Sequence, residues 1–486
     1  MSHLSQEDME FMYRVRVLGE SFPLDLPEAV RDLVAEAAYA LPMEVLAPHL
    51  AHLVGELKQH GGDPVLEHFA GRYADARCDE FVQLVKSCER TVVFVASEWN
   101  GKILRAALYL RKHGWHCFFI SMRRITREVQ EVFPGIFDAA IQLPRNNAIL
   151  QQVLERISPD VLHVHCNMFE YDLGRAVIEA KGNAICVTEL SDITSCYGTP
   201  EVLAVVASAD DAVFDYEMER YLCHHADGLL YQFDDEVQNV LRTRHGAFPT
   251  AMQFQPWPCP EFSDHSREHR LSLQDGVQRC VFPGNTPSIS DDHPAEIYPS
   301  RGLYESAQAL CAGGMGMEVL LDPSKPIDAH DHRMQPWHDL SRRFKHFKLR
   351  HGLPPHKLAE RLRRYDFGVV LFHLDLQRLR VRPEKLALQT SNKFFAYFEG
   401  GLPLLVSAEM QYMARIVEEN GLGLAIHTSE LEQVPEMVAA LDYEKAHANV
   451  LDYAERNSMA RHIHGLIDFY GRLGVERAEP PLAASA

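Results

Sequence analysis

The chain has 486 residues, of which 46% are hydrophobic and 24% are charged, an ordinary composition for a globular protein. This length predicts two or three domains rather than one. The formal net charge of -20 argues against nonspecific nucleic-acid binding as the main function, because that function needs a basic surface facing the phosphates.

The sequence predicts a soluble, cytoplasmic protein. The first residues, MSHLSQEDMEFMYRVRV, mix polar and apolar side chains and do not resemble a signal peptide. The longest apolar runs, such as Phe367–Phe372, are too short to span a bilayer, although a peripheral contact with a membrane stays open. The ten cysteines are scattered without a C-x-x-C pair, which indicates reduced and mostly buried thiols.

Residues 1–90 are predicted to form a helical extension. Apolar residues recur at helical spacing through LPEAVRDLVAEAAYALPMEVLAPHLAHLVGEL, and proline occupies positions typical of a first helical turn. The role of this added segment is open; an acceptor-binding or partner-binding surface is one hypothesis.

The pattern changes at Thr91, where strands begin to alternate with helices. The β-branched run TVVFVAS (91–97) indicates a strand buried on both faces, and a polar loop and an amphipathic helix follow it. Further strands are predicted at 114–121, 159–166, 183–192 and 228–232. This alternation predicts a parallel sheet in a Rossmann-like domain over residues 91–256.

A second α/β domain is predicted after FQPWPCPEF (254–262), whose three prolines indicate a joint between domains. The expected strands are at 279–285, 317–322, 343–349, 367–372 and 402–406, with one more inside the helix–strand repeat 409–427. We expect this Rossmann-like domain to cover 257–450. A C-terminal helix over 451–475, expected to cross back to the first domain, and a disordered tail over 476–486 complete the prediction.

Several segments, taken in chain order, resemble the GT-B glycosyltransferases. They are NGKILRAALYLRKHGWHCFFI, PDVLHVH, ERYLCHHADGLLYQ, HGLPPHKLAERLRRYDFGVVLF and SNKFFAYFEGGLPLLVS. The last is similar to the Ser/Asn-Lys-x-x-Glu-Tyr-x-x-x-Gly-x-Pro segment of the group that includes glycogen synthase and many bacterial polysaccharide and protein glycosyltransferases. The resemblance covers residues 91–475 and implies two doubly wound domains with a nucleotide sugar bound between them, mainly by the C-terminal one.

The stretch TSNKFFAYFEGGLPLLVS (390–407) carries the predicted donor site. Ser391 is expected to cap a helix whose first turn contains Asn392 and Lys393, and a helix start beyond a buried strand offers unpaired N–H groups to a phosphate. The preceding loop, 373–390, is locally basic through Arg378, Arg380, Arg382 and Lys385. A plain helix cap beside a solvated arginine loop is the alternative interpretation.

The resemblance implies four further donor contacts. Gly284 and Asn285 follow the first strand of the second domain, and Arg301 precedes its first helix. The family commonly has a ribose-binding Glu where this chain has Ala396, and Glu399, nearly one turn further, is the candidate replacement. The alternatives are a nucleotide that is held differently and a site without activity.

Three residues are candidates for acid–base catalysis in the first domain. Asp192 follows the fourth strand, where the family often has a His or Asp, and it is the preferred base if the enzyme inverts; a helix cap is the alternative. His165 lies on the third strand on the same face as His163 and is either a base, a sugar contact or a core histidine. Glu98 is the other acidic candidate. A retaining mechanism would need no protein base.

We expect neither a metal ion nor a cofactor besides the nucleotide-sugar co-substrate. Enzymes with this fold usually stabilise the leaving diphosphate with basic side chains and a helix N-terminus. The chain has no Asp-x-Asp motif in a suitable loop, and no third ligand has a useful spacing from the two histidines.

The predicted function is transfer of a sugar from a nucleotide sugar to a glycan or protein acceptor, and the resemblance implies a bacterial glycosylation role. Two alternatives remain. One is a non-catalytic, glycosyltransferase-like binding or scaffold subunit, which Ala396 favours. The other is a nucleotide-sugar epimerase of the same fold. The sequence leaves the sugar, the nucleotide, the acceptor, the stereochemistry and the oligomeric state open.

Overall fold

The computed structural model describes residues 78–122, 132–143, 147–246, 248–284, 296–321 and 334–475. These residues form two parallel β-sheets with helices between their strands, which confirms the predicted α/β fold with two doubly wound, Rossmann-like domains. The predicted N-terminal extension lies mainly outside the described residues. Its described end is a helix over 78–87, here α1.

The first sheet has seven strands in the order β3-β2-β1-β4-β5-β6-β7. Val93 in the central strand lies opposite Phe118 on one side and Leu162 on the other. All six residues of β1 are buried, because helices cover both faces of the sheet. The strands are β1 (Thr91–Ala96), β2 (His116–Ser121), β3 (Ala139–Gln142), β4 (Val161–Cys166), β5 (Ile185–Leu190), β6 (Gly228–Tyr231) and β7 (Thr250–Gln253).

The helices of this domain connect successive strands. They are α2 (Gly101–Lys112), α3 (Asn147–Glu155), α4 (Tyr171–Ala180), α5 (Thr194–Tyr197), α6 (Pro200–Leu203), α7 (Ala209–His225) and α8 (Val237–His245). The side chains of Asn100 and Ser208 cap α2 and α7 by accepting hydrogen bonds from backbone N–H groups, as is common at helix starts.

The second sheet has six strands in the order β10-β9-β8-β11-β12-β13. The strands are β8 (Arg279–Pro283), β9 (Gly316–Leu321), β10 (Phe347–His351), β11 (Phe367–Val370), β12 (Leu404–Ser407) and β13 (Gly423–Ile426). The helices are α9 (Ser272–Asp275), α10 (Leu303–Ala312), α11 (Gln335–Arg343), α12 (Pro355–Leu362), α13 (Pro383–Leu388), α14 (Asn392–Glu399), α15 (Gln411–Asn420), α16 (Val434–Ala440) and α17 (Tyr443–Arg456). Short 3-10 helices lie at Phe133–Gly135, Pro260–Phe262, Pro299–Gly302 and Thr428–Gln433.

The last helix, α18 (Met459–Arg472), packs against the first domain rather than the second. Its apolar face joins the cluster that contains Val92 and Phe94 of β1. Glycine is needed at position 228 in β6, because a Cβ atom there would lie 2.6 Å from Leu473 and 2.7 Å from Phe469. The chain therefore returns to the first sheet after completing the second.

The structure differs from the sequence prediction in several elements. The segment 373–390, predicted to be a loop, contains the short helix α13. Strands β3 and β7 were not predicted, because the short sequences AAIQ and TAMQ are partly exposed and lack an apolar run. The strand predicted at 343–349 begins four residues later than predicted. Residues 335–343 form the amphipathic helix α11, and β10 begins at Phe347.

Candidate functional site

The candidate site lies where the carboxyl ends of the two sheets meet. Gln389 of the second domain forms an isolated antiparallel bridge with Phe233, which follows β6 of the first domain. The Thr390 hydroxyl donates a hydrogen bond to the Gln232 carbonyl at 2.6 Å, and the Asp234 N–H donates to the Leu388 carbonyl at 2.7 Å. These contacts place the start of α14 beside the first domain. In open parallel sheets, ligands bind beyond this edge.

The start of α14 faces the end of β8. The Ser391 side chain accepts a hydrogen bond from the Phe394 N–H at 3.4 Å, so the residue is a helix cap, and Asn392 in the first turn is exposed. The Lys393 side chain crosses Gly284, because a Cβ atom on that glycine would lie 2.5 Å from the Lys393 Cε atom. Gly284 has a φ of +144°, which also disfavours a larger residue.

Lys393 is half-buried, and its environment bears on its charge. Burial lowers the pKa of its ammonium group, and the negative charge of Asp192 across the cleft opposes that effect. Its Nζ atom lies 5.0 Å from the centre of the Phe282 ring. An anionic ligand beside Lys393 would stabilise the charged ammonium group, which burial deprives of part of its hydration.

Two predicted donor residues, Arg301 and Arg378, line one cavity of about 190 Å³ beside the start of α10. The cavity also contains acidic side chains, and the Arg378 Nη2 atom lies 2.8 Å from the Glu296 Oε1 atom. Arg380 is exposed beside the cavity, and its N–H donates to the Glu296 carbonyl at 2.9 Å. The structure thus gathers these arginines near the carboxyl ends of β8 and β11. Asn285 lies outside the described residues.

The structure places Glu399, a predicted donor contact, in a buried ion pair rather than at the surface of the cleft. Glu399 has 0% exposure, and its two carboxylate oxygens accept hydrogen bonds from Arg105 of α2 at 2.7 and 2.6 Å. The Cys259 N–H donates to the same carboxylate at 2.8 Å. This residue is therefore a buried link between the domains. Ala396 also faces inward, since it is 6% exposed within the core of the second domain.

Asp192 presents one carboxylate oxygen to the cleft. Its Oδ1 atom accepts hydrogen bonds from Gln389 at 3.0 Å, Lys385 at 3.2 Å and Tyr197 at 3.3 Å. Its Oδ2 atom has no hydrogen-bond partner in the part of the chain that the structure describes, and the side chain is 31% exposed. One oxygen is thus held in place by three donors, and the other lacks such contacts among the described residues.

Lys385 is the cation that holds Asp192. Only 4% of the residue is exposed, and its Nζ atom lies 3.3 Å from the centre of the Tyr197 ring. Burial lowers the pKa of the ammonium group to about 8, although Asp192 opposes the change. The sequence prediction placed Lys385 in the basic loop beside the donor site, whereas in the structure it lies in α13 and binds Asp192.

His165 belongs to a buried network at the ends of β4 and β5. Its Nδ1 atom lies 3.0 Å from Glu189, which also contacts Lys102 at 2.7 Å and His163 at 3.2 Å. The other ring nitrogen of His163 lies 2.7 Å from the Tyr470 hydroxyl. Burial alone would raise the pKa of the Glu189 carboxyl, but Lys102 and the two histidines hold it well below its usual range. Glu189 is therefore a charged anchor for the histidines.

Glu98 is exposed in the loop after β1, at the same edge of the sheet. Among the described residues, no three His, Cys, Asp or Glu side chains converge to hold a metal ion. No helix in the described ranges is both long and apolar enough to cross a membrane.

Comparison with known proteins agrees with this architecture. Residues 332–466 match the family model "Glucosyltransferase 3-like, C-terminal domain". No curated protein sequence matches the chain. Two crystal structures of HepE from Anabaena, one with UDP and glucose and one with UDP-glucose, are similar in fold. The first has 10% identity and a TM-score of 0.55, covering 79% of this chain and 100% of HepE, and the second has 12% identity and a TM-score of 0.54, covering 78% and 100%.

These similarities confirm the predicted resemblance: the chain has the fold of the GT-B glycosyltransferases.

Proposed function

We propose that this protein is a glycosyltransferase that moves a sugar from a nucleotide sugar to an acceptor hydroxyl. The observation that carries the proposal is the arrangement of Lys393 over Gly284, at the start of α14, opposite Asp192. This arrangement puts a cation and a helix N-terminus on one side of the cleft and a partly free carboxylate on the other.

The donor diphosphate is proposed to bind at the start of α14. Backbone N–H groups of the first turn and the Lys393 ammonium group stabilise the negative charge that develops on the leaving diphosphate. Arg301 and Arg378 line the adjacent cavity and would hold the remainder of the nucleotide. A nucleoside diphosphate sugar is the donor class that fits, and UDP-glucose is the first candidate because HepE binds it.

Asp192 is proposed to receive the acceptor proton. When the acceptor oxygen attacks the anomeric carbon, the bond from that carbon to the diphosphate breaks and the hydroxyl proton passes to the Oδ2 atom. Lys385, Gln389 and Tyr197 keep the Oδ1 atom in place during this step. We favour Asp192 over His165, because His165 is only 5% exposed and Asp192 has a free oxygen.

The test is thermal stabilisation of the purified full chain by UDP, GDP, ADP, dTDP and CMP, followed by transfer assays with the matching nucleotide sugar. A nucleotide that binds only the folded state raises the melting temperature. We expect one diphosphate to do so, with UDP the first candidate. Lys393→Ala should lower the affinity about tenfold or more, since a charge-assisted hydrogen bond contributes about 1.5–3 kcal/mol.

The matched control is Lys348→Ala, an exposed lysine on the edge strand β10, which should bind the nucleotide as the native chain does. Lack of stabilisation by any nucleotide in a folded sample would contradict the proposal and favour a scaffold subunit. Equal losses in both lysine variants would move the donor site away from α14.

A further inference from the structure

One buried carboxylate joins two loops at the carboxyl edge of the first sheet. Asp215 of α7 is 3% exposed. Its Oδ1 atom accepts a hydrogen bond from the Phe169 N–H at 2.9 Å, and its Oδ2 atom accepts one from the Thr194 hydroxyl at 2.5 Å. Phe169 lies in the loop after β4, and Thr194 is the first residue of α5 in the connection that follows β5. Both connections are called loops below.

The first loop has a strained backbone. Phe169 has a φ of +65°, a left-handed conformation that costs a residue with a side chain on the order of 1–3 kcal/mol. Such a conformation persists only when surrounding contacts hold it. The hydrogen bond to Asp215 is one such contact, and the Asn167 side chain donates another to Glu170 at 3.1 Å within the loop. This loop begins directly after β4, which carries His165.

The second loop carries Asp192, and the same buried region holds it. The Tyr171 hydroxyl donates a hydrogen bond to the Asp192 carbonyl and accepts one from the Thr194 N–H at 3.2 Å. One helical turn after Asp215, the Glu219 carboxylate accepts a hydrogen bond from the Ser195 N–H at 3.0 Å. The backbone beside the proposed base is therefore anchored to α7.

We propose that Asp215 is a positioning residue that sets the relative placement of residues 167–170 and 192–197, and that these two loops form the acceptor subsite. The inference rests on the proposed glycosyl transfer, because Asp192 lies in the second loop and His165 lies two residues before the first. Asp215 acts through the loop backbones and does not contact the donor. Replacing Asp215 is therefore expected to change the binding of the acceptor and not that of the donor.

The chain offers a conservative and a disruptive variant. Asp215→Asn keeps both contacts, since the amide oxygen accepts from Phe169 and the amide N–H donates to the Thr194 oxygen. Burial raises the pKa of the Asp215 carboxyl to about 7, so a neutral amide is a close mimic of its protonated form. Asp215→Ala removes both contacts. Ser208→Ala is the control, because Ser208 caps the same helix without touching either loop.

The experiment measures KM and kcat of the full chain for donor and acceptor. The acceptor is whichever 4-nitrophenyl glucoside, galactoside or N-acetylglucosaminide the native chain uses. We expect Asp215→Ala to raise the acceptor KM at least tenfold, with the donor KM within about threefold of native. Asp215→Asn and Ser208→Ala should keep the native acceptor KM. Parallel losses for donor and acceptor, or a native acceptor KM in Asp215→Ala, would overturn the inference.

Hydrogen exchange at the Phe169 amide separates this inference from the proposed function and is measurable without activity. Asp215→Ala should exchange this amide at least tenfold faster than native, and Asp215→Asn should not. If Asp215→Ala does not fold, Thr194→Val breaks one of the two contacts, and its acceptor KM replaces the first readout. Faster exchange in a chain without transfer activity would reject the glycosyltransferase assignment and the acceptor subsite, whereas unchanged exchange would overturn the anchor itself.

Discussion

Two groups of charged side chains, one in each domain, contrast in their exposure. In the first domain, Lys102, Glu189 and the two strand histidines are buried and bind one another. In the second domain, Lys393 is half-buried and Arg378 is exposed, so both remain accessible to solvent. Charges of the first kind maintain the shape of the site, whereas charges of the second kind are available to a ligand. Only the second kind should affect binding without affecting stability.

The largest effect on stability is expected from breaking the buried link between the domains. Arg105→Ala leaves Glu399 charged, buried and unpaired, which typically costs about 3–5 kcal/mol of unfolding free energy. Chemical denaturation measures the loss. Arg175→Ala, in an ion pair on the surface of α4, should cost less than about 1 kcal/mol. Similar losses in both variants would remove the distinction between structural and accessible charges.

A large effect on turnover, without an effect on donor binding, is expected at Asp192. Asp192→Asn keeps an oxygen that can accept from Lys385 and Gln389 but cannot take a proton, so kcat should fall about 10²–10⁴-fold. Calorimetry with the nucleotide should give a nearly native affinity. If kcat stays within threefold of native, Asp192 is not the base, and His165 becomes the next candidate.

A moderate effect is expected where the two halves of the donor site touch. Gly284→Ala should cost about 1–3 kcal/mol of unfolding free energy, because its φ of +144° disfavours any side chain and the new methyl group would meet Lys393. In the double variant Gly284→Ala/Lys393→Ala, the part of the loss in unfolding free energy that comes from the clash with Lys393 should disappear. Thermal unfolding of the single and double variants measures this coupling, and strictly additive losses would contradict the close contact.

The smallest effect on stability is expected at the most exposed cation of the site. Arg378→Gln removes an ion pair with Glu296 in which the arginine side chain is 71% exposed, and the unfolding free energy should change by less than about 1 kcal/mol. The nucleotide affinity should nevertheless fall several-fold. An unchanged affinity in calorimetry would exclude Arg378 from the donor site and limit that site to the start of α14.

Local sequence patterns predicted most strands and helices of the fold, because each of these elements depends mainly on its own residues. The apolar run of β1 and the Ser391 cap of α14 are each encoded within a few neighbouring residues. The same information was insufficient for β3 and β7, whose half-exposed sequences are not distinctive without their partner strands. It was also insufficient at 343–349, where Phe344 and Phe347 follow an amphipathic helix.

The site was harder to predict than the fold, because its decisive contacts join distant residues. The partners Arg105 and Glu399 are 294 positions apart, and Lys385 is 193 positions from Asp192. Family resemblance directed attention to Glu399, but no local pattern indicates that an arginine from the other domain neutralises it. Asp192 was recognisable by its place after a strand, whereas the three donors that leave one of its oxygens free were not.

The return of α18 to the first domain bears on how the chain is made by a ribosome. Ile463, Leu466, Phe469 and Tyr470 complete an apolar cluster that begins at Val92. The first sheet is therefore synthesised long before α18, the helix that packs against it. The sheet face that α18 covers stays exposed while the second domain is synthesised. We expect fragments that end before Met459 to be retained by chaperones or to aggregate, even though they contain every strand of both sheets.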